Sequence, residues 1–161
     1  MNMISVELTV NGSLVTLNCA ANLTLLDILR DELDLTGVKD ACGGEGECGA
    51  CTVIMNGKAV NACMVLAGQA DQAIIETIEG LAQGDRLHPL QQAFIETGAI
   101  QCGYCTPGAI MAAKALLDEN PYPAEAEIKE ALSGNLCRCT GYKKMIEAVS
   151  LASNGGDNDG R

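Results

Sequence analysis

The sequence predicts an α+β chain in two parts: a strand-rich first part built around one helix, then a second part that is helical throughout. Three observations predict it. Residues 3–10 and 14–19 flank Asn11-Gly12, and the first of these runs alternates apolar and polar side chains, the period-2 signature of a hairpin. After Gly80 that pattern stops, and helix start and stop signals take over at Pro89, Gly98, Thr106-Pro107 and Pro121-Tyr122-Pro123. Eight of the nine cysteines fall into two groups of four, one group in each part: Cys42, Cys48, Cys51 and Cys63, then Cys102, Cys105, Cys137 and Cys139.

Each element has its own local reason. Ile4, Val6, Leu8 and Val10 share one face of the first strand, and Leu14 to Cys19 returns as its partner. Thr24 opens a helix: Leu25, Leu26, Ile28 and Leu29 form the apolar stripe, and Thr24 with Asp27 makes an acidic variant of the capping box. A Gly-rich loop follows. Cys51 to Met55 reads as a strand, Asn56-Gly57 as a second tight turn and Lys58 to Ala62 as the returning strand, with Ile74 to Ile78 as one more. In the second part a helix starts at Pro89 and runs through Thr97, with Gly98 at its C-terminal cap. Thr106-Pro107 repeats the logic, with Thr106 as N-cap and Pro107 as first helical residue. Glu125 to Leu132 and Tyr142 to Leu151 complete a small four-helix bundle. The boundary falls between Gly80 and Leu87, dividing the chain into 1–80, 81–152 and a polar, Gly-rich tail at 153–161 expected to be mobile.

Composition narrows the function. The chain has 161 residues, 48% hydrophobic but only 2% aromatic, so its cores are aliphatic and small. A net charge of −11 argues against nucleic-acid binding. Residues 1–20 read as strands and not as a charged-then-apolar leader, and no apolar run approaches the ~20 residues of a membrane span. Clustered thiols without a leader point to metal binding in a reducing compartment, here expected to be the cytoplasm.

The spacing of the thiols argues for iron and sulfide over zinc. Cys42, Cys48 and Cys51 lie in a loop with four glycines, and Cys63 follows a short hairpin. This is close to the plant-type C-x4-C-x2-C pattern with a distant fourth cysteine, with the first gap one residue longer. Glycine lets such a loop wrap an anionic cluster and turn its N–H groups toward the sulfurs. The added residue is expected to be absorbed as a bulge at Gly43-Gly44; the alternative is that Cys42 is displaced and Cys19 ligates instead. In the second group, Cys137-x-Cys139 needs a sharp backbone turn, whereas zinc sites usually separate paired cysteines by two to four residues.

The remaining candidates carry less. Gly44-Glu45-Gly46-Glu47-Cys48-Gly49 matches a dinucleotide fingerprint in form only, since no first βα pair surrounds it. Cys19 reads as a small buried residue. His88 is the only histidine, which excludes a Rieske centre, and it reads as part of a helix start. Lys39 is a cation placed to offset cluster charge or simply to face solvent, and Arg138, between Cys137 and Cys139, either offsets thiolate charge or faces a partner subunit.

Together, QCGYCTPG at 101–108, GNLCRCTGY at 134–142 and ECGACTV at 47–53 resemble one family over residues 6–149: the small iron-sulfur (2Fe-2S) subunits of the molybdenum hydroxylases, the xanthine dehydrogenase family. The resemblance implies an N-terminal β-grasp (plant-type ferredoxin-like) domain followed by the four-helix domain, each holding one 2Fe-2S cluster. It implies a large molybdopterin-binding partner and an FAD-binding medium subunit. It places Gln101 and Cys139 beside the pterin and makes this chain the electron relay between molybdenum and flavin. No catalytic residue is expected on this chain. Family members act on purines and other N-heterocycles, the leading expectation, or on aldehydes, carbon monoxide or aromatic acyl-CoA. Two rival readings are a free-standing two-cluster ferredoxin and a zinc-stabilised interaction module.

Overall fold

Asn11 and Gly12 both take positive φ, 49° and 80°, and Asn56 and Gly57 repeat this at 51° and 79°. This backbone matches the twist of a two-residue hairpin. The first turn joins β1 (Met3–Val10) to antiparallel β2 (Ser13–Ala20), with Val10 opposite Ser13 and Met3 opposite Ala20. The second joins β3 (Thr52–Met55) to β4 (Lys58–Asn61), with Met55 opposite Lys58. A short β5 (Ile74–Glu76) lies between them, parallel to β1 and antiparallel to β3. The sheet order is therefore β2-β1-β5-β3-β4. The computed structural model describes residues 2–155.

Helix α1 (Leu25–Asp27) carries the expected capping box: Asp27 N–H donates to Thr24 Oγ1 at 3.2 Å, and Thr24 N–H donates to Asp27 Oδ2 at 2.7 Å. It widens into a π turn over Ile28–Glu32. Leu25, Leu26, Ile28 and Leu29 are buried in one core with Val6, Leu8, Val10, Val53 and Ile75. Each such side chain contributes about 1.5–3 kcal/mol. Two strands, a helix and three more strands on one mixed sheet make the expected β-grasp unit.

The second part holds the four expected helices, α2 (Pro89–Glu96), α3 (Thr106–Glu119), α4 (Glu125–Ala131) and α5 (Lys143–Gly155). His88 caps α2: its Nδ1 accepts from Leu90 N–H at 3.2 Å, and Gln91 Oε1 accepts from His88 N–H at 2.9 Å. Gly98, at φ 66°, ends α2. Two expectations need correction. Thr106 is not the N-cap of α3; Cys105 is, because the turn at Gly103 (φ 83°) already curls the chain, and Thr106 N–H donates to Gly103 O at 3.3 Å. Helix α5 also runs past 152, with Ser153 Oγ and Asn154 Nδ2 each donating to Ser150 O at 2.9 Å. The rest of the expected tail, 156–161, lies outside the described residues.

The second core centres on Phe94 and includes Leu90, Met111, Ile128, Met145 and Val149. Ile54 of β3 belongs to it, so the sheet and the helices share a contact layer. Lys114 of α3 reinforces the junction, 3.5 Å from Glu76 of β5 and 2.5 Å from Asp118.

Candidate metal centres

The first quartet is organised by its loop backbone. Gly43 and Gly44 lie at φ 73° and 85°, which a side-chain-bearing residue adopts only at a cost. Asp40 Oδ1 accepts from both their N–H groups, at 2.9 and 3.3 Å. Lower in the loop, Asn61 Nδ2 donates to Gly46 O at 3.0 Å and Thr52 Oγ1 to Gly49 O at 2.7 Å. The N–H of Glu47 first, then the thiol of Cys48, lowers the Cys42 pKa to about 7, with further help from the N–H groups of Cys48 and Glu45. Cys42 and Cys48 thus stand together. Cys51 and Cys63, the latter in the 3-10 turn Ala62–Met64, form a second pair that is nearly buried. Burial above all pushes the Cys51 thiol up to about 12, with the Cys63 N–H opposing and the Cys63 thiol adding to the rise.

The second quartet pairs in the same way. Cys139 Sγ lies 3.6 Å from Cys102 Sγ, and both residues are exposed. Cys105 and Cys137 make the inner pair; burial first, then Cys137, pushes Cys105 up to about 12. At Cys137 burial acts upward but is outweighed by hydrogen bonds from Thr140 and Cys139, leaving it at about 7. Those bonds are the expected sharp turn: Cys139 N–H and Thr140 N–H each donate to Cys137 Sγ at 3.4 Å, and Thr140 Oγ1 donates at 3.1 Å. Tyr142, at φ 69°, returns its hydroxyl to accept from Cys137 N–H at 2.9 Å. Gln101 Nε2 donates to Cys139 O at 3.0 Å, tying together the two segments that supply this quartet.

The two centres are joined by side-chain and backbone hydrogen bonds. Asn135 Nδ2 donates to Gly49 O at 2.9 Å and to Thr52 Oγ1 at 3.2 Å, while Leu136 N–H donates to Cys48 O at 2.9 Å. Tyr104 Oη donates to Asp40 O across the same seam. A Cβ on Gly49 would stand 2.3 Å from Gly134 O, and one on Gly108 would stand 2.3 Å from Gly49 O. Helix α3 and the 134–137 segment therefore close on the back of the first loop.

The other sequence candidates have plainer roles. Cys19 is buried in the first core, with its pKa raised by burial and then by Glu32, and no quartet thiol is among the groups that shift it. Lys39 Nζ donates to Thr36 O at 2.7 Å, and Arg138 is exposed. Sequence reasoning missed Asn135, Thr140 and Tyr142 as supports, although all three lie inside the quoted motifs.

This donor set fits two-iron clusters. A tetrahedral zinc needs four sulfurs at about 2.3 Å from one point. Here the thiols come together two by two, and among the described residues no three Cys, His, Asp or Glu close around a single ion position. Two thiols for each of two irons, with N–H groups aimed at the sulfurs, suit a four-cysteine 2Fe-2S cluster.

Comparison with known proteins agrees. Residues 8–82 match a family described as the 2Fe-2S iron-sulfur cluster binding domain, and residues 77–150 match a second 2Fe-2S binding domain. The chain is 55% identical to the nicotinate dehydrogenase small FeS subunit of Eubacterium barkeri, covering 94% of this chain and 96% of that one. It is 53% identical to a probable xanthine dehydrogenase subunit of Bacillus subtilis, over 89% of this chain and 82% of the relative. Quinoline 2-oxidoreductase from Pseudomonas putida 86 contains a chain that superimposes with a TM-score of 0.91 at 39% identity, covering 98% of both chains.

Proposed function

Because the chain belongs to the small iron-sulfur subunits of the molybdenum hydroxylase (xanthine dehydrogenase) family, we propose that it carries electrons within a heteromeric complex, from a large molybdopterin-binding subunit to an FAD-binding medium subunit. Two 2Fe-2S clusters supply the one-electron chemistry. In this reading Cys42, Cys48, Cys51 and Cys63 hold the first cluster in domain 1–80, and Cys102, Cys105, Cys137 and Cys139 hold the second in domain 81–152. Gln101 and Cys139 face the pterin. The observation that carries it is the pairwise approach of the thiols in both quartets, with an exposed outer pair at Cys102 and Cys139 in the second.

The chain's own residues then have defined tasks. The loop at 43–48 points N–H groups at sulfur, Asn135 holds the two centres in register, and Gln101 spans the edge where electrons enter. The complex oxidises an N-heterocycle or purine: relatives are named for nicotinate, xanthine and quinoline. Among the described residues no helix is long and apolar enough to cross a membrane, and eight closely set thiols suit the reducing cytoplasm. The test is to purify the intact complex and supply nicotinate, hypoxanthine and an aldehyde with a dye acceptor. An N-heterocycle or purine should drive dye reduction fastest. A chain that elutes alone with full clusters, or a complex that prefers the aldehyde, would overturn the reading.

A further inference from the structure

Among the described residues, Cys137 is the quartet sulfur that receives a side-chain hydroxyl. Thr140 Oγ1 lies 3.1 Å from Cys137 Sγ. The same oxygen accepts from Tyr142 N–H at 3.3 Å. A threonine hydroxyl has one proton and two lone pairs. With a lone pair taken by the Tyr142 N–H, the single proton is directed at sulfur. Tyr142 is itself fixed at both ends: its backbone sits at φ 69°, and its hydroxyl accepts from Cys137 N–H at 2.9 Å. Its ring packs against the second core. The segment from Cys137 to Tyr142 is thus a closed loop of hydrogen bonds that aims one O–H. The first quartet has no counterpart among the described residues, and the Cys42 sulfur there is served by backbone N–H groups.

We infer that Thr140 is a positioning residue that sets the reduction potential of the second centre, its hydroxyl donating to Cys137 sulfur while Tyr142 holds it in line. The inference rests on Cys137 being a ligand, as proposed above. Reduction adds one electron and no atoms; the thiolate sulfurs become more negative, and the Thr140 proton stays on its own oxygen. A hydrogen bond to sulfur therefore favours the reduced form and raises the potential.

The test is a mediated redox titration of the intact complex, followed by electron paramagnetic resonance, which reads the two cluster signals separately. Thr140→Val keeps the shape and removes the donor. The second-centre midpoint should fall, by about tenfold in the reduction equilibrium or ~59 mV for one electron. The first-centre midpoint should stay put, and Thr140→Ser should match the parent. Equal midpoints in Val, Ser and parent, with both signals at full intensity, would overturn the inference. If Val fails to assemble the cluster, Thr140→Ala takes its place. Failure of both, with Ser intact, would make the hydroxyl an assembly requirement and equally overturn a potential-setting role. A parent complex lacking the second signal altogether would instead refute the ligand reading, so the two failures are distinguishable.

Discussion

At the scale of single residues, the thiols were legible and their supports were not. A cysteine declares its chemistry by type and spacing, so both quartets could be read from the sequence. Asn135 could not: its partner is a backbone carbonyl 86 residues away, and no local pattern records that. Gln101 shows a related limit. Its likeness to a pterin-facing residue came from the resemblance, while its bond to Cys139 O came only from the fold. Two predictions belong here. Cys51→Ser should abolish the first-centre paramagnetic signal and spare the second, because the thiol pairs do not mix between quartets. Loss of both signals in a folded chain would refute the pairing. Gln101→Ala should leave both clusters formed but weaken pterin retention or slow substrate-driven cluster reduction. It removes one hydrogen bond worth about 1 kcal/mol and no ligand. Unchanged pterin content and unchanged reduction would leave Gln101 with the clamp as its sole task.

At the scale of elements, sequence signals located each strand and α-helix but not the π turn at Ile28–Glu32 or the 3-10 turns, and their errors have physical causes. Asn-Gly turns, the Thr24–Asp27 box and Gly98 behaved as local chemistry dictates. Thr106 was misplaced because the turn that carries Cys102 and Cys105 starts the helix one residue early. The end of α5 was missed because Ser153 and Asn154, loop formers by type, bond back to the helix carbonyl. The α2 cap yields a pH prediction. Burial first, then the charge of Lys114, lowers the His88 pKa below its ordinary 6.5, with Asp118 and Glu76 opposing. The unfolded chain therefore takes the proton first. The stabilisation is complete above about pH 6.5 and is lost as pH falls toward the lower folded value. Protonation also removes the Nδ1 acceptor used by Leu90 N–H. His88→Asn keeps a capping side chain without the titration, so its melting temperature should fall less steeply than the parent's between about pH 7 and pH 5. Parallel slopes would show that another group governs that window.

At the scale of the whole molecule, the two parts were legible as a change of residue pattern, while the way they join was not. The expected division near residue 80 rests on a change of periodicity, yet Ile54 of the sheet packs with the helices and Asn135 reaches back to Gly49. The loaded chain should contain about four iron and four sulfide, two of each per cluster. Zinc in their place, in material prepared without oxygen, would exclude the relay. The seam formed by Gly49, Gly108 and Gly134 also bears on engineering. Surfaces that meet through side chains can be repacked when one partner changes, but at Gly49 and Gly108 the nearest atoms are backbone carbonyl oxygens, which cannot be trimmed or rotated away. Chimeras that exchange the helical part with that of a relative should assemble both centres when glycine is kept at 49 and 108 and asparagine at 135. Alanine at 108 of the graft, or at 49 of the part that receives it, should cost the first centre even though every cysteine is present, because the loop cannot seat. Iron content across such a series measures how far the two parts are interchangeable, with the seam residues as what either part must bring to its new partner.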